Sequence, residues 1–179
     1  MASSIRLFVA VNIPESMKEK IYPIGAFLPR DAVKPVEKDN LHITIKFLGE
    51  VPDFRLGDIA SELEKVKFTR FNVALHGVGV FPSASNARVV WVGCESKELY
   101  HLAKKINDIL GQFGENEPFS AHLTVARVRK KFDPFAFLEK YGHTNFGEFE
   151  VSSFELMQSV LGKSGPDYSV VSSFSSDDK

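Results

Sequence analysis

The chain has 179 residues, of which 44% are hydrophobic and 25% are charged, and its net charge is −1 at pH 7. This length suits one large domain or two small lobes, and the near-zero charge excludes a polyanion-binding field over the whole surface. The single cysteine excludes an intrachain disulfide framework and any multi-cysteine metal site. Because no apolar run approaches the ~20 residues of a membrane span, we expect a cytoplasmic protein that does not cross a membrane.

The first half of the sequence predicts three strands separated by two helices. Runs of β-branched and aromatic residues predict strands over 6–11, 41–51 and 70–81. Apolar residues at helical spacing predict helices over 15–28 and 53–67. In the first of these helices, Ser16 and Glu19 have the spacing of a capping box.

The second half repeats this order. It predicts strands over 88–93, 120–128 and 146–161, with helices following Ser96 and Asp133, and an added edge strand over 165–174. The offset between matching positions is nearly constant: it is 82 from Arg6 to Arg88 and 80 from His42 to His122. Such near-constant offsets indicate an internal duplication.

These patterns together predict an α+β fold with two similar lobes. We expect one bilobal domain over residues 1–179, with repeats at about 1–85 and 86–174 and a frayed polar tail at 175–179. Two mostly antiparallel sheets should face a central cleft, with the helices packed outside. Equivalent positions of the two repeats would then face each other across that cleft.

Two H-x-T motifs occupy such equivalent positions. With five His and four Thr in the chain, about 0.1 such pairs are expected by chance, yet H-I-T stands at 42–44 and H-L-T at 122–124. Residues i and i+2 share a face of a strand, so each motif presents an imidazole beside a hydroxyl. His42 and His122 can therefore act as a general acid and a general base, with Thr44 and Thr124 holding the oxygens of an anion.

The same residues also permit a structural and a metal-binding interpretation. A single strand histidine is more often a hydrogen-bonded structural residue than a catalyst. A metal site is disfavoured, because H-x-T supplies one nitrogen per strand and no Cys cluster or H-E-x-x-H accompanies it. Strict alternation puts Lys46 on the face of His42, where it would either add positive charge to the site or lie at its rim.

The segments LHITIKFLGE and AHLTVARVR resemble the paired signatures of the 2H phosphoesterase superfamily. The resemblance is nearest to the LigT-like RNA 2′,3′-cyclic phosphodiesterases, which were first named 2′-5′ RNA ligases, and it extends over nearly the whole chain. It implies a bilobal fold with a cleft. It also implies metal-independent opening of a 2′,3′-cyclic phosphate, on an RNA end or a nucleotide, to a 2′-phosphomonoester.

The resemblance also implies roles for individual residues. His42 matches the general acid, His122 the general base, and Thr44 and Thr124 the phosphate-binding residues. Arg127 matches a position that neutralises the phosphate, and Phe81 one near the cleft that can stack on a base. Strict alternation places Arg127 on the face opposite His122, so the strand must bulge or end near Ala126 for Arg127 to reach the phosphate.

Two alternative functions use the same cleft. One is 2′-5′ RNA ligation or 2′-5′ phosphodiester hydrolysis, and the other is RNA or nucleotide binding without turnover. The basic run at 127–132 would follow an RNA backbone in either case, or it is a solvated loop. We expect no cofactor, no metal and a monomer.

Overall fold

The computed structural model describes residues 3–178. Within them the strands are β1 (Ser4–Asn12), β2 (Val33–Pro35), β3 (His42–Pro52), β4 (Phe71–Phe81), β5 (Val89–Glu95), β6 (His122–Val128), β7 (Asn145–Val151), β8 (Ser153–Leu161) and β9 (Pro166–Ser175). The α-helices are α1 (Glu15–Ala26), α2 (Leu56–Glu64), α3 (Lys97–Ile109) and α4 (Phe135–Tyr141). The predicted helices are therefore present, and so are the predicted strands, except that the one expected over 146–161 is divided into β7 and β8; β2 is an addition to them.

The strands form two sheets, which we call sheet A and sheet B. Sheet A has the order β3-β1-β8-β9 and sheet B the order β2-β6-β5-β4-β7. Every strand pairing is antiparallel. The predicted α+β fold with two antiparallel sheets is confirmed.

Each sheet contains strands from both halves of the sequence. Strand β4 belongs to the first half but pairs with β5 of the second, and β8 belongs to the second half but pairs with β1 of the first. The sheets therefore do not divide at residue 85. The two H-x-T strands nevertheless occupy matching places, because β3 neighbours β1 in sheet A and β6 neighbours β5 in sheet B.

The helices bury one apolar face each against the sheets. In α3 this face contains Leu99, Leu102 and Ile106, and the Leu99 N–H donates to the Ser96 hydroxyl at 3.3 Å, as an N-cap requires. In α1 the predicted capping box is wrong. That helix begins at Glu15, directly after Pro14, so Ser16 lies inside its first turn and no side chain caps it.

The end of the chain differs from its prediction in two ways. The single closing strand expected over 146–161 is two strands, because the chain leaves sheet B after Val151 and enters sheet A at Ser153. The tail is hydrogen-bonded as far as Asp178, whose carboxylate accepts from the Arg70 N–H at 3.0 Å. The Asp177 N–H donates to the Phe68 carbonyl at 2.9 Å, and the Phe68 N–H donates to the Asp177 carboxylate at 3.0 Å. The predicted fraying is therefore wrong for the described part of the tail; Lys179 lies outside the described residues.

Candidate active site

The two H-x-T motifs lie close together, because β3 of sheet A packs against β6 of sheet B. Both imidazoles are oriented in the same way. Nδ1 of His42 is 2.7 Å from the Asn40 carbonyl, and Nδ1 of His122 is 2.8 Å from the Ser120 carbonyl. A carbonyl oxygen only accepts, so each ring carries a proton on Nδ1 and leaves Nε2 for other partners.

The threonines accompany these rings on the same strands. Nε2 of His42 is 2.9 Å from the Thr44 hydroxyl. Thr124 has the same two-residue spacing from His122, and both threonines are half-buried. Each motif therefore places an imidazole and a hydroxyl on the same face of its strand, as alternation predicted, and in the first motif the two groups are in contact.

A β-bulge follows the threonine of the second motif. Thr124 pairs with Trp91 and Ala126 with Val90, so Val125 is the extra residue. The bulge turns Ala126 into the core and places Arg127 on the face of Thr124. The strand therefore does bulge next to Ala126, which is the condition stated above for Arg127 to reach the face of His122.

The first motif carries the same bulge one residue after Thr44. Thr44 pairs with Ala10 and Lys46 with Val9, so Ile45 is the extra residue. Lys46 therefore shares a face with the buried Val9 rather than with His42. The placement of Lys46 on the cleft face, expected from strict alternation, is wrong.

Lys46 is buried, and its hydrogen bonds are made away from the histidines. Only 4% of it is exposed. Its ammonium donates to the Glu115 carbonyl at 3.0 Å and to the side-chain oxygens of Asn116 and Asn107 at 3.1 and 3.2 Å. These groups lie on α3 and on the segment after it, so Lys46 fastens β3 to that segment instead of lining the cleft.

Replacing Lys46 with Met should therefore affect stability and not turnover. The three oxygens would lose their donor, and we expect the free energy of unfolding to fall by about 1–3 kcal/mol. Urea denaturation measures this, and Lys104→Met on the exposed face of α3 is the matched control, expected to change it by no more than about 0.5 kcal/mol. A stable Lys46→Met protein with a large loss of activity would contradict this placement.

Burial and positive charge shift the titration of both histidines. The pKa of His42 is lowered to about 4, mainly by burial and in addition by the charges of Arg127, Lys18 and His122. Burial, followed by the Arg127 charge, also lowers the pKa of His122. One guanidinium thus acts on both imidazoles, which favours their neutral forms in the free protein.

This shared dependence on Arg127 can be measured directly. Arg127→Gln removes the positive charge, so the pKa of both His42 and His122 should rise, as followed by NMR titration of the imidazole carbon-bound protons. Arg129→Gln, two residues further along, is the control and should leave both values unchanged. Unaltered pKa values in Arg127→Gln would place the guanidinium away from the histidines.

Aromatic rings flank both histidines. On the sheet B side, the Phe81 ring lies 5.1 Å from the His122 ring and 5.1 Å from the Trp91 ring. On the sheet A side, the His42 ring lies 5.0 Å from Phe8 and 5.3 Å from Tyr168. Phe81 is therefore at the cleft, as predicted. Trp91 pairs with Thr124, which puts it on the cleft face as well.

A group of cations lies at the far end of β6, and we call it the basic cluster. Its members are Lys34, Arg88, Arg127, Arg129, Lys130 and Lys131. Arg127 pairs with Lys34, and the Val128 N–H donates to the Arg88 carbonyl at 2.9 Å. Four of the cluster's residues line a depression of about 120 Å³. Within residues 3–178, none of the six lies within ion-pair distance of a carboxylate.

The structure holds few options for a metal site. In the described part of the chain, no group of three or more His, Cys, Asp or Glu side chains is arranged to hold a metal ion. Cys94 is buried, and burial raises the pKa of its thiol, so it is not a nucleophile of this site. None of the helices between residues 3 and 178 is both long and apolar enough to span a membrane.

Known proteins resemble this chain over nearly all of its length. A family model described as LigT like phosphoesterase matches residues 11–91. The RNA 2′,3′-cyclic phosphodiesterase of Archaeoglobus fulgidus is 44% identical over 169 residues, which cover 92% of this chain and 96% of that relative. The chain belongs to the LigT-like phosphoesterase family. A second family member, the RNA 2′,3′-cyclic phosphodiesterase of Methanocaldococcus jannaschii, is 36% identical over 93% of this chain and 98% of its own length.

The fold agrees with this family membership. The crystal structure of Escherichia coli LigT complexed with 3′-AMP superposes with a TM-score of 0.84 and 26% sequence identity, covering 98% of this chain and all of that one. The resemblance stated from the two motifs is therefore confirmed at the level of family and fold.

Proposed function

We propose that this LigT-like phosphoesterase hydrolyses 2′,3′-cyclic phosphate at RNA ends to a 2′-phosphomonoester, with His42 and His122 as its acid and base. The observation that carries this proposal is the pair of imidazoles at one cleft. Each is oriented by the carbonyl two residues before it, and both respond to the charge of Arg127. Paired imidazoles beside a cation are suited to splitting a phosphodiester.

The proposed reaction is one in-line displacement at phosphorus. Neutral His122 takes a proton from water through Nε2, and the water oxygen bonds to phosphorus. The bond between phosphorus and the ribose 3′ oxygen breaks, and protonated His42 gives its Nε2 proton to that oxygen. The products are a 2′-phosphomonoester and a free 3′ hydroxyl. His122 is left protonated and His42 neutral, and proton exchange with water restores both.

Binding of the substrate prepares the acid for this step. Free His42 is mostly neutral at pH 7, because its pKa is about 4. A phosphate anion offsets the charge of Arg127 and adds negative charge beside both rings, so it raises their pKa values. Thr44 and Thr124 donate their hydroxyls to the non-bridging oxygens, Arg127 neutralises the phosphate, and Phe81 stacks on the terminal base.

Two further observations support RNA as the substrate. The relatives from Archaeoglobus fulgidus and Methanocaldococcus jannaschii are named RNA 2′,3′-cyclic phosphodiesterases, and the Escherichia coli structure contains a 3′-phosphorylated nucleoside. Within the described chain, no carboxylate lies at ion-pair distance from the basic cluster. Such a cluster suits the phosphates of a polynucleotide, and binding should therefore weaken as salt is added.

The proposal is tested by incubating the protein with RNA ending in 2′,3′-cyclic phosphate, in the presence of EDTA. We expect multiple turnovers that EDTA does not reduce, because the proposed chemistry uses only side chains. Binding without turnover would make the chain a nucleotide-binding module, and activity that returned only with an added divalent metal would contradict the two-histidine mechanism.

A further inference from the structure

The peptide group between Ser120 and Ala121 is hydrogen-bonded on both of its sides. Its carbonyl lies 2.8 Å from Nδ1 of His122 and accepts the proton of that ring nitrogen. Its N–H donates to the phenol oxygen of Tyr100 at 3.3 Å. Because a trans peptide holds its C=O and its N–H on opposite edges of one rigid plane, the two bonds cannot turn independently. Tyr100 of α3 is thereby connected to His122 through a single rigid group.

This peptide group lies just outside the strand that carries His122. Residues 110–121 form an irregular segment between α3 and β6. The pairing with β5 holds the next peptide group, whose Ala121 carbonyl accepts from the Cys94 N–H at 3.4 Å. The Tyr100 ring is in turn packed edge-on against Phe119, with ring centroids 5.1 Å apart. The side chain of Tyr100 therefore supplies the hold on the Ser120–Ala121 plane that the sheet does not.

The first motif orients its histidine in a different way. The carbonyl of the Asn40–Leu41 peptide lies 2.7 Å from Nδ1 of His42, as its counterpart does in the second motif. The N–H of the same peptide, however, donates to the Lys38 carbonyl at 3.3 Å, within one turn of 3₁₀ helix. The backbone alone thus holds the orienting peptide of His42, whereas that of His122 depends on a side chain from a distant helix.

We propose that Tyr100 is a positioning residue for the reaction, whose hydroxyl fixes the Ser120–Ala121 peptide and, through it, the ring of His122. The tautomer of a neutral imidazole is set by the hydrogen bond that one of its nitrogens makes, and bonds in a chain strengthen one another. Only the tautomer with its proton on Nδ1 leaves Nε2 able to take a proton from water. The assignment rests on the proposed function, in which His122 is the base.

The kinetic test uses Tyr100→Phe, which keeps the ring against Phe119 and removes the hydroxyl. We expect kcat for cyclic-ended RNA to fall by about three- to tenfold, which corresponds to the net strength of one hydrogen bond, while KM is unchanged. Tyr141→Phe is the matched control, because it removes a phenol hydroxyl from α4, where the ring packs against Phe137, and it should keep both values. An unchanged kcat in Tyr100→Phe, or a rise in KM alone, would overturn the assignment.

A double variant tests whether the effect passes through the histidine. In a His122→Ala protein the base is absent, so adding Tyr100→Phe should not lower the residual kcat further. A further loss as large as that in the wild-type background would show that Tyr100 acts by another route, and would overturn the assignment.

A readout without turnover is the tautomer of each imidazole in the free protein, measured by ¹⁵N NMR at pH 8. Tyr100→Phe should lower the Nδ1–H fraction of neutral His122 and leave that of His42 unchanged; no change at His122, or an equal change at both, would overturn the assignment. In the wild type, the Ala121 amide proton should shift little with temperature, as a bonded amide does, and the large shift of a solvent-bonded amide would overturn the assignment without any variant. A wild-type protein that did not turn over cyclic-ended RNA would instead overturn the proposed function, while the tautomer measurement still decides whether Tyr100 orients His122.

Discussion

Replacing either cleft histidine with alanine should reduce turnover of cyclic-ended RNA by about 10²–10⁴-fold, the usual contribution of a positioned general acid or base. His42→Ala removes the donor to the leaving 3′ oxygen, and His122→Ala removes the acceptor for the proton of water. Because the two groups act in one step, the double variant should be little worse than either single one. The measurement is kcat with saturating cyclic-ended RNA.

Two controls separate chemistry from folding in this experiment. His101→Ala alters an exposed histidine on α3 and should keep the wild-type rate. Far-UV circular dichroism and thermal unfolding should find both cleft variants folded, because each ring is only half-buried at the cleft. Wild-type rates in either folded cleft variant would show that its histidine is not catalytic.

Gly79→Ala should damage both stability and turnover, although the change adds only one methyl group. Gly79 pairs with Trp91, and an added Cβ would stand 2.1 Å from Cζ2 and 2.4 Å from Cη2 of the indole. The indole must move, and overpacking of this kind costs about 1–3 kcal/mol. Trp91 supports Phe81, which contacts His122, so the base shifts as well. Misplacement of a reacting group by 1 Å can cost about 10²-fold in rate, and we expect kcat to fall by between tenfold and that value.

A double-mutant cycle tests the cause of that loss. If the clash with the indole is responsible, Trp91→Leu in the same chain removes the clashing ring. The double variant should then be more stable, by about 0.5–3 kcal/mol, than the sum of the two single effects predicts. Gly57→Ala is the control, since no atom lies within 4 Å of an added Cβ and its position in α2 favours alanine. Additive effects of the two changes would indicate another cause.

Sequence patterns were sufficient for most of the fold and for the centre of the site. Period-2 runs located the strands, and helical spacing with a Ser96 cap located α3. The paired H-x-T motifs located His42 and His122, because two copies at matching positions are improbable by chance. These features depend on local chemistry, which a sequence displays directly.

Pairing between strands distant in the sequence could not be predicted in the same way. The exchange of β4 and β8 between the sheets depends on long-range packing, and nothing in the run 146–161 marks the change of sheet except the polar Ser152 and Ser153. The bulges likewise made the faces of single residues unpredictable from the sequence. In both motif strands alternation is interrupted at the residue after the threonine, which reverses the faces of Lys46 and Arg127. Only the second bulge was anticipated, because Arg127 had a role that required it.

Phe47 pairs with Phe8, whose ring contacts His42, and it is 62% exposed. This position was missed for the same reason. A phenylalanine in a strand of alternating polarity is most simply assigned to the core, and this one would be buried without the bulge at Ile45. A signal was present in the sequence, since the two motifs align with Phe47 opposite Arg127 once the duplication is accepted. Applying to the first motif the bulge inferred for the second would have placed Phe47 at the cleft.

The regiochemistry of the product tests the central claim most directly, because His42 is proposed to protonate the 3′ oxygen and not the 2′ oxygen. Cyclic-ended RNA should be digested with the protein in EDTA, and the position of the new phosphate determined by ³¹P NMR against synthetic 2′- and 3′-phosphorylated standards. The two-histidine account predicts a 2′-phosphate alone. A 3′-phosphate, or a mixture of the two, would contradict it.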